Sequence, residues 1–415
     1  MIAPVLAAER SVRRRLVLRE HESRSVELSS GSARDLTRLA AGRLGVSPAP
    51  DPGWWDVTAS QHIGTIVLPE LEILVRPKVP IQNVFVLLDV GLPEDAWRTE
   101  SFAYAADPNL LPILAAFFVR TLERTIATGL LRAYRSEADR LISVRGRIDF
   151  PAQQRQPGLA SPVACRFDEY TADIDENRYL KAAVRRLLRV VGVRPVTRRA
   201  LSRELVRFEE VADAAVDVDL PERVVVTRLN RHYQPALRLA RLVLRNVGLL
   251  DRLGQIGASS FLLDMNDLFQ RFVADRLARH LHGRLHVSEE PVHHLGIGRK
   301  VTMQPDLVFS EAEGRVVYVG DAKYKLTATG LGRSADYYQL LAYTTAMRQP
   351  EGALIYCQVD GELPPRVVEV RHTGVRLCTY PLHLDGAPAA VEQSLADLAD
   401  WVASRVTLPL DSHGG

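Results

Sequence analysis

The sequence is poor in cysteine, and its cysteines form no paired motif. Cys165, Cys357 and Cys378 are widely spaced along 415 residues. A disulfide framework or a zinc knuckle needs closely paired cysteines. The cysteine pattern therefore argues against both and favours a reducing compartment.

The sequence also lacks a long apolar run. The longest, Leu110 to Val119, is too short to span a bilayer. The N-terminal MIAPVLAAERSVRRRL places its basic residues after the short apolar stretch, which is the reverse of a signal peptide. We therefore expect a cytoplasmic protein with no membrane partner.

No Gly-Lys pair occurs anywhere in the chain. The phosphate-binding motif G-x-x-x-x-G-K-[ST] is therefore absent, and the chain cannot hold a nucleoside triphosphate in a P-loop. The net charge is only +3, which by itself does not indicate a nucleic-acid partner.

Lysine is scarce, because only five of the 53 basic residues are lysines: Lys78, Lys181, Lys300, Lys323 and Lys325. Where nearly every cation is arginine, lysine tends to remain where a compact ammonium is needed. Two of the five fall within one short segment, discussed below.

The chain is long enough for two or three domains, each with its own core. We predict a β-rich and helical domain over residues 1–160, a helical, arginine-rich connecting region over 161–255, and an α/β domain over 256–415. The fold class is thus α/β, with an α+β N-terminal part.

Local patterns in the first two regions predict strands over Trp54–Leu88, a helix over Asn109–Arg135 and a short strand over Arg145–Phe150. The loop Pro151–Pro162 is a plausible boundary. The stretch Asp175–Gly254 is predicted to be mostly helical.

The last region predicts a helix capped by Ser259 or Ser260. Three strands follow (RLHVSEEPV, KVTMQPDLVFS and RVVYVGDAKYK), the last two as a hairpin around EAEG. A helix over Ser334–Arg348, two strands (GALIYCQV and RVVEVRHT) and a closing helix (AAVEQSLADLADWVASRV) complete a mixed sheet flanked by helices.

Two carboxylates and one ammonium should meet on this hairpin. Asp321 and Lys323 are two apart on one predicted strand, so their side chains leave the same face. Asp306 lies on the preceding predicted strand, and the four-residue turn brings it opposite or diagonal to Asp321. Carboxylate oxygens beside a cation suit Mg²⁺-dependent phosphodiester cleavage.

The next helix adds two polar side chains. Gln339 and Tyr343 are four apart and therefore share one helical face. Ser334 is the expected N-cap, and the positive end of this helix would point towards phosphate.

These residues resemble the PD-(D/E)xK nuclease superfamily, because PD is followed by DAK and then by Q-x-x-x-Y on the next helix. Together with DMNDLFQRFV, RPKVPIQNVFVLL, VRGRIDF and DENRYLKAAVRRLL, in collinear order from about Gly64 to Tyr343, the chain resembles the McrC family, the nuclease subunits of McrBC restriction systems.

The resemblance implies a site and partners. Asp306, Asp321 and the backbone carbonyl of Ala322 would hold Mg²⁺ or Mn²⁺. Lys323 would orient or help deprotonate the attacking water, and Gln339 and Tyr343 would position the phosphate or the lysine. The substrate would be double-stranded DNA carrying a modification, and the partner a hexameric AAA+ GTPase of McrB type.

One position departs from the family pattern. Where McrC-like chains often read LFE, this sequence has Gln270, a neutral and poorer Mg²⁺ ligand, with Asp264 and Asp267 nearby at other helical angles. An assembly or activation subunit with a weak or degenerate nuclease site therefore remains an alternative. A stand-alone RecB-like repair nuclease is another.

Several other groups have an ordinary and a functional interpretation. The arginines Arg185, Arg189, Arg238, Arg241 and Arg245 lie at helical spacing, and they either form solvated faces or contact DNA or a partner. Arg76, Arg145 and Arg147 either form local ion pairs or reach a partner's bound nucleotide. Lys325 is interpreted as a solvated flank of the hairpin. The histidines His280, His282, His286, His293 and His294 favour a zinc site only weakly.

Overall fold

The computed structural model describes residues 13–88, 110–155, 161–213, 215, 217, 219–225, 227–252, 255–324, 333–358 and 364–406. Lys325 lies outside these ranges, so the interpretation of that residue stays a prediction. None of the helices in these ranges has both the length and the apolar character that crossing a membrane requires.

The N-terminal region is built from two sheets around one helix. Its elements are β1 (Arg14–Arg19), β2 (Ser23–Glu27), α1 (Ser30–Ala40), β3 (Leu44–Pro48), β4 (Trp54–Ala59), β5 (His62–Val67), β6 (Leu71–Arg76) and α2 (Ile81–Leu87). The small sheet has the order β2-β4-β3. Helix α1 starts where the Ser29 hydroxyl accepts from the Ser32 N–H, which satisfies a free donor of its first turn.

The second region contains a small, largely exposed sheet and a group of helices. Its elements are α3 (Leu110–Thr125), β7 (Ala133–Leu141), β8 (Arg147–Ile148), α4 (Phe150–Gln154), β9 (Val163–Thr171), α5 (Asp175–Leu188), α6 (Pro195–Arg207), α7 (Leu220–Arg223), a 3-10 turn (Arg231–Tyr233) and α8 (Gln234–Asn246). The strands pair in the order β7-β9-β8. We call β7, β8, α4, β9 and the connection between β7 and β8 (residues 142–146) the arm.

The C-terminal region carries the mixed sheet. Its elements are β10 (Val247–Arg252), β11 (Gln255–Asp264), α9 (Met265–His280), β12 (His286–Glu289), β13 (His293–His294), β14 (Thr302–Met303), β15 (Leu307–Ser310), β16 (Val316–Lys323), α10 (Ser334–Met347), β17 (Glu351–Gln358), β18 (Arg366–Glu369), β19 (Arg376–His383) and α11 (Pro388–Val406). The sheet order is β12-β15-β16-β17-β19-β18, while β10 and β11 join the N-terminal sheet as β1-β6-β5-β11-β10.

The predicted α/β class with a mixed, helix-flanked sheet is confirmed. The DAK strand pairs antiparallel with β15 and parallel with β17, so the predicted hairpin is present. The strand β19 and the short helix α4 were not predicted. The domain assignment stays a prediction, although its second boundary falls at the first residue of β11.

Four local predictions were wrong. Residues 81–87 form α2 instead of a strand, because a short apolar run buried on all sides has no periodicity to separate the two. The helix predicted over Asn109–Arg135 ends at Thr125, and Ala133 already begins β7. Residues 259–264 are strand, and Asp264 caps α9 by accepting from the N–H groups of Asn266 and Asp267.

The fourth concerns the helix after the hairpin. Arg333, and not Ser334, occupies the N-cap of α10, and no side chain caps it.

The core runs through all three predicted regions. One buried cluster contains Ile63 of β5, Phe118 of α3, Tyr179 of α5, Phe269 of α9 and Leu398 of α11. A second, smaller cluster lies between α10 and the mixed sheet and contains Val319, Leu340 and Tyr343. The face of the sheet that meets α10 therefore carries the predicted site.

Candidate active site

The site lies where the β15–β16 hairpin ends. The last pair of the β15–β16 ladder joins Leu307 to Gly320. Asp306, which precedes Leu307, and Asp321, which follows Gly320, therefore both lie just beyond this pair, at the open end of the hairpin. Alternation along β16 places Asp321 and Lys323 on the side of α10, as predicted. The neighbouring Ala322 points to the opposite side and packs in the main core.

Asp321 is the most deeply buried member of the site. Its side chain is 0% exposed, and its Oδ1 accepts no hydrogen bond from the described residues. Burial, together with the nearby charge of Asp306, raises the pKa of Asp321 to about 8. A buried carboxylate with an unpaired oxygen is costly, and a bound cation would relieve that cost.

Lys323 lies between the two carboxylates. Its Nζ is 2.7 Å from Oδ2 of Asp321 and 3.8 Å from Oδ2 of Asp306. Burial lowers the pKa of Lys323, but the charges of Asp321 and Asp306 raise it by more, so that the net shift is upward. The ammonium form is therefore favoured in this structure.

Asp306 is fixed by the backbone of the opposite strand. Its Oδ2 accepts a hydrogen bond of 2.8 Å from the N–H of Ala322. The N–H and C=O of one residue in an extended strand point to the same edge. The carbonyl of Ala322 is therefore expected on the side of Asp306, as the predicted ligand set requires.

Helix α10 brings the remaining two predicted residues to the same place. Nε2 of Gln339 donates to the hydroxyl of Tyr343 at 2.6 Å, and that hydroxyl donates to the carbonyl of Gln304 at 3.2 Å. Burial raises the pKa of Tyr343, and the charges of Asp321 and Asp306 raise it further. Gln339 and Tyr343 thus belong to the same constellation as the two aspartates.

The donor set fits a hard divalent cation with an incomplete protein shell. Two carboxylates and one expected carbonyl are oxygen ligands of the type Mg²⁺ prefers, and Mg²⁺ keeps several waters. Within the described ranges no three His, Cys, Asp or Glu side chains converge as metal ligands. This finding holds for the histidines His280, His282, His286, His293 and His294 as well.

Gln270 is not placed with the aspartates by any contact in the described part of the chain. It lies half-buried on α9, whose Phe269 packs against Tyr324 at 6.1 Å between ring centroids. Tyr324 and Ala322 share one side of the sheet, and Asp321 and Lys323 occupy the other. A metal role for Gln270 therefore stays a prediction without geometric support.

Sequence reasoning missed a carboxylate close to this site. Asp336 in the first turn of α10 is 4% exposed, and its Oδ2 accepts from the hydroxyl of Tyr356 at 2.8 Å. Tyr356 is the register partner of Lys323 on β17. The available signal was spacing, because Asp336, Gln339 and Tyr343 share one helical face.

The other predicted arginines have mixed surroundings. Arg145 lies over the ring of Phe167 at 4.4 Å and 3.9 Å from Glu169, whereas Arg76 and Arg147 are exposed. Arg185 pairs with Asp213, Arg241 with Asp219 and Arg245 with Asp267. Arg189 and Arg238 also have interactions. Local ion pairing thus accounts for several of these side chains.

Comparisons with known proteins identify relatives of this chain. A family model described as "McrBC 5-methylcytosine restriction system component" matches residues 57–357. No curated protein sequence matches the chain.

Two solved structures are similar to the chain. One is a refined half-complex of Thermococcus gammatolerans McrB AAA+ hexamers with bound McrC. The match has 18% sequence identity and a TM-score of 0.54, and it covers 94% of this chain and 100% of the matching chain. The other is the cryo-EM structure of the Thermococcus gammatolerans McrBC complex, with 22% identity, coverage of 64% and 88%, and a TM-score of 0.43. The first likeness shows a shared fold.

Proposed function

Because the chain belongs to the family of McrBC 5-methylcytosine restriction system components, we propose that it is the divalent-metal-dependent DNA-cutting component of such a system. The observation that carries this proposal is the meeting of Asp306, Asp321 and Lys323 at one hairpin end, with Gln339 and Tyr343 beside them. The proposed substrate is modified double-stranded DNA in the reducing cytoplasm.

Each side chain has a role that follows from its position. Asp306, Asp321 and the carbonyl of Ala322 would hold Mg²⁺ or Mn²⁺, which when bound supplies Lewis-acid activation of water and phosphate. Lys323 donates from between the carboxylates, so it would orient the attacking water and offset charge on the transition state. Gln339 would hold the hydroxyl of Tyr343 towards the phosphate or towards Lys323.

A nicking assay with the purified full chain tests this proposal. Lys323→Ala should abolish Mg²⁺- or Mn²⁺-dependent cutting of methylated plasmid, while Lys300→Ala, an exposed lysine in the same region, should cut like the wild type. Cutting that survives in Lys323→Ala contradicts the site assignment. A wild type that assembles with its partner but never cuts favours the weak or degenerate assembly subunit, which the missing third acidic ligand also favours.

We further propose that the chain docks onto a McrB-like AAA+ GTPase hexamer, as the chain named McrC does in the similar structure. The arm is the element that supports this part of the proposal. Its large apolar side chains are exposed instead of packed in a core: Tyr134 76%, Ile142 90%, Val144 52%, Phe150 65% and Tyr170 57%. Several exposed large apolar residues within one substructure suit a protein interface.

Phosphate release by the cognate GTPase tests the docking role. Ile142→Ser in the full chain should lower stimulation of GTP hydrolysis without changing the melting temperature. The matched control is Val206→Ser on α6, a position that is 69% exposed. Stimulation that is equal in both variants contradicts the assignment of the arm.

A further inference from the structure

A buried glutamate from the N-terminal sheet reaches the end of the strand that carries the site. Glu20 lies in the turn between β1 and β2, and its side chain is 0% exposed. Its Oε1 accepts from the hydroxyl of Tyr324 at 3.2 Å, across 304 residues of sequence. Tyr324 directly follows Lys323.

The same carboxylate is tied to the segment that follows β6. The N–H of Lys78 donates to Oε1 of Glu20 at 2.9 Å, and the Nζ of Lys78 lies 3.4 Å from Oε2. Glu20 therefore joins three chain segments: the first turn, the segment after β6 and the end of β16. The lysine of the RPK segment thus lies here, half-buried beside Glu20.

This arrangement is costly for stability. Oε2 of Glu20 accepts no hydrogen bond within the described part of the chain. Burial is the main cause that raises the pKa of Glu20. Replacing a buried ion pair by apolar residues is often neutral or stabilising. In some proteins a buried ionic group is retained because it specifies one arrangement over its alternatives.

What Glu20 fixes is the end of β16. The ring of Tyr324 packs between Phe269 of α9 and the core, and its hydroxyl is held by Glu20, so the backbone of residue 324 is set from the N-terminal sheet. The side chain of Lys323, one residue earlier, points to the opposite face and contacts both aspartates. A shift of the Tyr324 backbone would therefore change the distance from Lys323 to Asp306 and Asp321.

We propose that Glu20 is a positioning residue for the nuclease centre. Acting through Tyr324, it holds Lys323 in register with the two aspartates, and acting through Lys78, it connects that register to the N-terminal sheet. This inference rests on the proposed function, because it concerns the rate of the cutting reaction assigned above.

The chain contains a matched control for the test. Tyr318 lies on the same strand and the same side of the sheet as Tyr324, and its hydroxyl also donates to a buried glutamate, Glu351, at 3.1 Å. Tyr318 is at the other end of β16, away from Lys323. Removal of either hydroxyl deletes its hydrogen bond to a buried glutamate and leaves the ring in place, and removal of the Tyr324 hydroxyl also deletes a hydrogen bond with the backbone of Val79.

The experiment compares Tyr324→Phe with Tyr318→Phe in the full chain, measuring kcat and KM for plasmid nicking and the melting temperature. Tyr324→Phe should lower kcat about tenfold and leave KM unchanged. A displacement of a catalytic group by about 1 Å can lower the rate up to ~10²-fold. Tyr318→Phe should change the melting temperature by a similar amount and leave kcat unchanged.

Glu20→Ala should resemble Tyr324→Phe in kcat, while Glu20→Gln, which retains the acceptor oxygen, should recover most of the rate.

Equal kcat in the two phenylalanine variants overturns the positioning role while leaving the proposed function intact. A fall in kcat that merely follows the melting temperature in both variants overturns it as well, because it shows a structural role only. A wild type without Lys323-dependent cutting overturns the proposed function and this inference together.

Discussion

The base of the arm depends on one aspartate, and its replacement gives a sharp prediction. Asp173 lies between β9 and α5 with a side chain that is 15% exposed. Its Oδ1 accepts from Nε of Arg178 at 2.7 Å and from the N–H of Ala212 at 2.8 Å. Its Oδ2 accepts from Nη2 of Arg178 at 2.7 Å and from Nη1 of Arg135 at 2.8 Å. Asp173→Asn keeps the shape and removes the charge.

The expected loss follows from these contacts. Hydrogen bonds to charged groups contribute about 1.5–3 kcal/mol each, but four such bonds to one carboxylate are not additive, and the partly exposed arginines are screened by solvent. We expect Asp173→Asn to lower the free energy of unfolding by about 2 kcal/mol. For a chain of 415 residues, this corresponds to a fall in the melting temperature of roughly 2 °C.

The pH dependence gives an independent check. The guanidinium of Arg178 is the main cause that holds the pKa of Asp173 below its ordinary value of 3.8. A carboxyl with a lowered folded-state pKa stabilises the fold above its ordinary pKa and loses that effect as the pH falls. The difference between wild type and Asp173→Asn should therefore stay constant from about pH 8 to pH 5 and shrink only below about pH 4.

Thermal unfolding of the full chain, with Asp149→Asn as control, measures both quantities. Asp149 also pairs with an arginine, Arg166, but one that is 53% exposed, so this substitution should change the melting temperature little. If Asp173→Asn melts at the temperature of the wild type, the clamp at the base of the arm does not contribute as its geometry indicates.

Three further predictions concern the site and its supports. Asp321→Asn should abolish metal-dependent nicking without lowering the melting temperature. The fold already disfavours the charged form of this carboxyl, because its pKa is raised to about 8 despite the 2.7 Å contact with Lys323. A marked loss of stability contradicts this. Gly352→Ala should lower the free energy of unfolding by about 1–3 kcal/mol and slow cutting. The added methyl would lie 2.8 Å from Cγ2 of Thr344 on α10 and would displace that helix. An unchanged cutting rate and melting temperature would refute the clash. Glu20→Gln should flatten the pH dependence of the free energy of unfolding. Burial raises the pKa of Glu20 in the folded protein above 4.5, so the wild type loses stability as the pH rises from 4.5 through the folded-state pKa. Parallel pH curves for the two proteins would contradict this.

The hairpin at the site was predictable because its signals are local. A period of two along VGDAK and a four-residue turn set which side chains share a face, and the structure places Asp306, Asp321 and Lys323 accordingly. The helical spacing of Gln339 and Tyr343 is equally local. These patterns need no knowledge of the rest of the fold.

The parts that were missed depend on distant contacts. Glu20 meets Tyr324 across 304 residues, and no pattern within a short window contains that information. The helix α2 was missed because its apolar residues are buried on every side, which removes periodicity. The cap of α9 was placed too early because FLLD continues a strand of the N-terminal sheet before the helix begins.

The path of β11 determines how the chain can be divided for experiments. Residues 255–264 pair with β5 and β10, so a fragment ending at Gly254 would leave the N-terminal sheet without a strand that is buried between its neighbours. Asp264, the last residue of that strand, also caps α9, which packs against β16. Asn83 of α2 in turn donates to the carbonyl of Leu384, which follows β19. The proposed partner-binding and DNA-cutting roles are therefore best separated by point substitutions in the full chain, because truncation would disturb both regions at once.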